Sequence, residues 1–264
     1  MIVDYHMHLR APDGSIDHTV DAVERFVEVA AGRGVDEIGF SEHVYYFQET
    51  AELWWVPYQS ERCRYSLEAY CDAIVEAKRR GLPVKLGLEV DWVPGREDRV
   101  AALLAPYPWD YLLGSIHLLG ELSLDGEPSL VASVGPEAAA DRYFDELVAL
   151  ARSGLVDVLA HPDLVKFFGH RFERDWATLA ERLDGVCVEV STAGRYKPHG
   201  ELYPSLDLLR EACRAEVPIT LASDAHAPQD VGRDLALAVE HARAAGYETV
   251  TVFDARRRRQ EPLG

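Results

Sequence analysis

Met1-Ile2-Val3-Asp4-Tyr5-His6-Met7-His8 is the stretch on which the reading of this chain turns. Ile2, Val3 and Tyr5 predict a short β-strand, and His6 and His8 stand two apart at its far end. Side chains two apart leave the same face of a strand, so both imidazoles can grip one metal ion. Alone, a His-x-His pair says little. It gains weight if other strands in the chain end the same way.

They do. Residues 35–40 predict a strand that finishes in Ser41-Glu42-His43, and residues 84–88 one that finishes in Glu89-Val90-Asp91. The strand at 111–116 runs into His117, and the strand at 156–160 into His161-Pro162-Asp163. Residues 186–190 lead to Ser191-Thr192-Ala193-Gly194, and 219–222 to Ser223-Asp224-Ala225-His226. Helical periodicity fills the gaps over 19–33, 66–80, 97–105, 135–152, 176–183, 204–215 and 230–245. Alternating strands and helices predict a parallel sheet. Polar residues gathered at seven strand ends favour a closed barrel, in which those ends share one face, over an open doubly wound sheet. The first βα turn lacks a Gly-rich phosphate loop, which weighs against dinucleotide binding.

Two stretches stand outside the alternation. Residues 44–65 are irregular and aromatic, with Tyr45, Tyr46, Phe47, Trp54, Trp55 and Tyr58. These rings either lid a flat substrate or pin the segment against the barrel. After a last strand at 249–253 comes Arg256-Arg257-Arg258-Arg259, expected to be a solvated, frayed tail over 255–264. The whole of 1–264 reads as a single domain.

Composition sets the outer bounds. Apolar residues make up 48% of 264, enough for one large α/β core. No run approaches a membrane span, and no secretory leader precedes the first strand. Cys63, Cys71, Cys187 and Cys213 lack CxxC spacing and read as free thiols in a reducing cytoplasm. With 45 acidic against 27 basic residues the formal charge is −18, which repels a nucleic-acid backbone but not a small ester held by metal ions.

Of ten histidines, His6, His8, His43, His117, His161 and His226 fall at strand ends, with Glu89 and Asp224 in the same layer. His18 stands just before the first helix, and only His170, His199 and His241 lie elsewhere. Seven imidazoles and two carboxylates exceed the needs of one four-coordinate ion. Two or three ions are therefore expected, and mixed nitrogen and oxygen ligands suit zinc, manganese or iron.

Taken in order, His6-x-His8, Ser41-Glu42-His43, Glu89, Ser115-Ile116-His117, His161-Pro162 and Ser223-Asp224-Ala225-His226 resemble the polymerase and histidinol phosphatase (PHP) superfamily. Gly114-Ser115-Ile116-His117, Lys166-Phe167-Phe168-Gly169-His170-Arg171, Ser191-Thr192-Ala193-Gly194 and Tyr203-Pro204 are similar to its histidinol-phosphate phosphatase branch. The resemblance implies a distorted (β/α)7 barrel with a centre of three divalent ions. It puts His6, His8, Glu89 and Asp224 on the first ion. Glu89 bridges to a second held by His117 and His161. The third falls to His43, His226 and a residue after the first strand, His18 before Asp17 or Asp13.

The implied reaction is hydrolysis of L-histidinol phosphate, a step of histidine biosynthesis, by a metal-bound hydroxide attacking phosphorus. Glu89, Asp224 and His226 are the candidates at the reacting centre. Arg171 and Lys197, with Arg195 behind them, are candidates for holding the phosphate. Glu42 either pairs with the substrate ammonium or orients a ligand histidine. The alternatives are another phosphoesterase on the same centre, whether a broad small-molecule phosphatase or a nuclease, and a non-catalytic metal-binding module.

Overall fold

The computed structural model describes residues 1–126 and 128–264. Strands Val3–Asp4, Glu37–Phe40 and Val84–Leu86 pair in parallel in that order. A second parallel run follows the order Glu89–Asp91, Leu113–Ser115, Val158–Leu159, Cys187–Ser191 and Ile219–Ala222. Backbone bonds join the two runs at both ends. Tyr5 N donates to Leu221 O at 3.0 Å and Met7 bridges Ala225, while Glu89 N donates to Glu42 O at 3.0 Å. The result is the distorted (β/α)7 barrel. Its staves start at Val3, Glu37, Val84, Leu113, Val158, Cys187 and Ile219, the third running on through Gly87 into Glu89–Asp91.

Helices return the chain between staves and begin where their caps dictate. Thr19 and Ser66, expected as first helical residues, are N-caps instead: their hydroxyls accept from Ala22 N and Ala69 N, and the helices run Val20–Gly32 and Leu67–Arg79. An extra helix, Pro128–Val134, precedes the expected one at Pro136–Arg152. A small hairpin, Leu118–Leu119 with Leu122–Ser123, follows His117.

The barrel interior is filled by side chains, as its narrowness demands. Tyr111 is fully buried, stacks on Tyr5 at 5.1 Å and donates to Tyr5 O at 2.7 Å. Room for that ring exists only because Gly39 and Gly87 carry no Cβ: one added at either would lie 2.4 Å from a Tyr111 atom. Gly39→Ala is therefore expected to destabilise the fold by about 1–3 kcal/mol through overpacking, read as a lowered denaturant midpoint.

The C-terminus departs from the expected frayed tail. Thr249–Asp254 and Arg257–Pro262 form an antiparallel hairpin, turned at Ala255 and Arg256 with φ of 47° and 61°. That turn carries no Asn-Gly or Asp-Gly signal, which hid it from the sequence. Arg256 reaches back to both oxygens of Asp157 at 2.9 and 3.1 Å, and Phe253 packs on Tyr5 and Tyr111. The first strand of the hairpin thus belongs to the core, while the side chains of the second stay mostly exposed.

Candidate metal centre

The strand ends converge as their side-chain period requires. His6 and His8 leave the same face of the first stave, and both are fully buried. Two contributors sit in the left-handed backbone region, His161 at φ 28° and Asp224 at φ 52°. Non-glycine residues held there are uncommon and cluster at functional sites. Here the turn aims each side chain inward rather than along the strand.

Glu89 is the hub, fully buried at the centre of the histidines. Around its Oε1 lie His161 Nε2 at 3.2 Å, His117 Nε2 at 3.4 Å and His6 Nε2 at 3.5 Å. Its Oε2 faces His43 Nδ1 at 2.5 Å and His8 Nε2 at 3.9 Å. Asp224 Oδ1 stands 3.4 Å from His8 Nε2, 3.6 Å from His6 Nε2 and 3.4 Å from His226 Nδ1. Two ligands of one tetrahedral ion, each about 2.1 Å from it, are about 3.4 Å apart. Most of these separations match that figure better than they match hydrogen bonds. His6 Nε2 and His8 Nε2 are buried without hydrogen-bond partners, as open ligand atoms would be. Four overlapping groups could each hold an ion: His6 with His8 and Asp224, His6 with Glu89 and His161, His43 with Asp91 and His117, and His8 with His43 and His226. The donor set fits divalent cations.

Behind the front row stands a second row of carboxylates. His6 Nδ1 pairs with Glu189 Oε2 at 2.7 Å, His8 Nδ1 with Glu42 Oε1 at 3.0 Å and His117 Nδ1 with Asp91 Oδ1 at 2.8 Å. A carboxylate on one ring nitrogen fixes the tautomer that leaves the other free to ligate. Glu189 also accepts from His161 N at 3.1 Å, so it positions two contributors at once. Sequence reading passed over Glu189; the available signal was a charge in the middle of a buried apolar strand. It also gave Asp91 no role, although Glu89-x-Asp91 repeats the spacing of the opening pair.

The charges settle into two classes. Burial opposes charge on His6, but Glu189, Glu89 and Asp224 outweigh it and hold that imidazole well above its usual value. His117 is likewise pushed up to about 10, Asp91 and Glu89 overcoming its burial. Burial holds His8, His43 and His226 below the usual value, helped at each by a neighbouring histidine. Burial disfavours charge on Glu89 and Asp224 too, yet the surrounding imidazoles keep both carboxyls well below the ordinary range. Neutral imidazoles beside ionised carboxylates are what a cation requires: His8, His43 and His226 already meet that, whereas a cation would have to displace a proton from His6 and His117.

The remaining predicted residues divide. His18 is in none of the four groups among the described residues. Its Nε2 faces Glu42 Oε2 at 3.3 Å, and its ring packs among Phe47, Tyr65 and Tyr70. Asp17 is engaged by Arg25 and Thr19, and Asp13 turns on Ser15. Glu42 is fully buried and bonded by Arg10, His8 and His18, so it orients histidines and is not open to an ammonium group. Arg171 does not line the cavity that opens onto Glu89, His43 and His226; it is exposed, pairs with Glu201 and borders a neighbouring cavity with Lys166 and His199. Arg195 is drawn off by Asp234 at 3.1 Å.

Lys197 does line the catalytic cavity of about 490 Å³, and its charge helps keep Asp224 low. Tyr45, Tyr46 and Tyr58 form another wall of that cavity, whereas Trp54 and Trp55 border a smaller one beside it. Lys197→Ala is expected to raise KM for a phosphate ester about tenfold, as loss of a charge-assisted contact does, and Arg171→Ala to raise it less. Steady-state kinetics on the two variants would check the order.

The chain is similar to several known proteins. Residues 4–193 match the PHP domain. The protein named “Probable histidinol-phosphatase” in Deinococcus radiodurans is 40% identical over 189 residues, covering 69% of this chain and 71% of that one. The histidinol-phosphatase of Bacillus subtilis is 28% identical over 263 residues, covering 87% and 95%. Among solved structures, the histidinol phosphate phosphatase of Lactococcus lactis, complexed with zinc, L-histidinol and phosphate, shares the fold with a TM-score of 0.72. It is 20% identical, with 98% of each chain covered.

Proposed function

Because the chain belongs to the PHP domain family, we propose that it is a metal-dependent histidinol-phosphate phosphatase, releasing L-histidinol and phosphate. The observation that carries the reading is the convergence of five histidines on the two oxygens of buried Glu89. The names of its relatives supply the substrate class.

Three divalent ions, zinc, manganese or iron, are the complement we assign. His6, His8, Glu89 and Asp224 would hold the first, Glu89, His117 and His161 the second, and His43 and His226 the third with His8 beside them. When bound, such ions lower the pKa of water toward ~7 and neutralise phosphoryl oxygens. The chain's own part is to fix the donors. Glu189, Glu42 and Asp91 hold the ring orientations. Lys197 draws the phosphate to the cavity, and His226 stands partly exposed at its mouth.

The reading includes one domain acting in the cytoplasm: all four cysteines are free thiols, and among the described residues no helix is long and apolar enough to cross a membrane. The test is a panel of esters on metal-loaded protein: histidinol phosphate, a generic aryl phosphate and single-stranded DNA. A kcat/KM for histidinol phosphate well above that for the aryl ester is expected, with no DNA cleavage. Equal values for the two esters would defeat the assignment.

A further inference from the structure

Asp4 stands on the same face of the first stave as His6 and His8, because side chains two apart leave a strand together. It is fully buried, yet it belongs to none of the four candidate ion groups among the described residues. Its oxygens are taken instead by donors from the far end of the chain. Oδ1 accepts from Ser223 N at 2.8 Å, and Oδ2 accepts from Ser223 Oγ at 2.5 Å and from Gly232 N at 2.8 Å. A buried carboxylate is tolerated only where hydrogen bonds replace its water, and these three do so. All of them come from the loop that follows the seventh stave, and they hold its two ends. Between those ends lie Asp224 and His226.

We propose that Asp4 is a positioning residue for the metal centre, clamping Ser223 and Gly232 to the first stave so that Asp224 and His226 are presented opposite His6 and His8. The proposal rests on the metal-dependent reading above. The turn needs such a clamp: Asp224 sits at φ 52°, and a non-glycine residue persists there only where its surroundings over-determine it. Backbone bonds pin the middle of the loop, Ala225 N donating to His6 O at 3.2 Å and His8 N to Ala225 O at 2.8 Å. Asp4 pins its start and its far end. The clamp also crosses the seam where the first and last staves meet, so ligands from the two ends of the chain are set against one frame. Each oxygen of Asp4 faces a backbone N–H. An amide in its place offers a single acceptor, so its NH2 must turn toward one of those two N–H groups.

The experiment loads wild-type, Asp4→Asn and Ser223→Ala proteins with cobalt(II) and withdraws the ion with a competing chelator, following its visible absorption. Asp4→Asn is expected to hold cobalt about tenfold more weakly, at the low end of what removing an orienting partner costs, and to show an altered absorption spectrum. Ser223→Ala keeps both backbone contacts and loses one hydrogen bond, so a loss of about threefold is expected. A role confined to folding would lower the melting temperature and leave the chelator midpoint and spectrum of the folded protein at wild-type values. That result overturns the proposal and leaves the metal-dependent reading standing. Should Asp4→Asn fail to fold, an unchanged chelator midpoint in Ser223→Ala overturns it alone. Wild-type protein that takes up no cobalt would defeat the metal-dependent reading itself, and the clamp's role would fall with it.

Discussion

Replacing Glu89 by alanine is expected to abolish both metal loading and phosphate release. Among the described residues Glu89 is the one whose two oxygens meet five imidazoles, and a bridging carboxylate is what lets neighbouring ions sit close together. Without it the five imidazoles lose the anion they converge on. Metal content per chain, measured after dialysis against trace metal, should drop together with activity. Glu89→Gln separates charge from shape. It keeps the volume and one acceptor, so a merely space-filling role would let it restore function, whereas a bridging role would leave it nearly as dead as alanine. A metal-replete, fully active Glu89→Gln protein would sink the scheme.

The second large effect belongs to a residue that does not touch the reaction. Glu189 takes the Nδ1 proton of His6 on one oxygen and the backbone N–H of His161 on the other. Glutamine has one oxygen and one NH2, so it can satisfy only one of those donors. The other meets an N–H head on, or His6 moves its proton to Nε2 and closes its ligand atom. Glu189→Gln is therefore expected to weaken metal affinity about 10–100-fold, the usual cost of losing an orienting partner. Chelator competition would read this directly. Activity should recover as metal is added in excess, which a simple folding defect would not do. If half-maximal activation by metal stays at the wild-type concentration, Glu189 is not the orienting group.

How much of this was legible beforehand follows from distance along the chain. His6 with His8, and Asp224 with His226, announce themselves because a two-residue spacing fixes their face locally. The partners behind them do not. His6 and Glu189 lie 183 residues apart, and nothing near either one names the other. Arg171 looked like a phosphate ligand by analogy with the substrate contacts that the family resemblance implies. Its place was set by Glu201, thirty residues on, which draws it to the neighbouring cavity. The arginines at 256–259 looked like frayed tail because charge dominates their appearance; they are exposed as expected, yet a ladder is built from backbone bonds that charge does not veto.

By itself, then, the sequence determined the alternation of strands and helices, the barrel, and a ring of histidines and carboxylates at its strand ends. Those follow from local periodicity and from a parallel barrel placing every strand end on one face. Tertiary structure alone decided which carboxylate stands behind each histidine and that His18 turns to Glu42. It alone decided, too, that Lys197, not Arg171, faces the centre. The reason is closure. Joining the first stave to the last brings together side chains from opposite ends of the chain, and their pairing depends on ångström-scale register that no local pattern encodes.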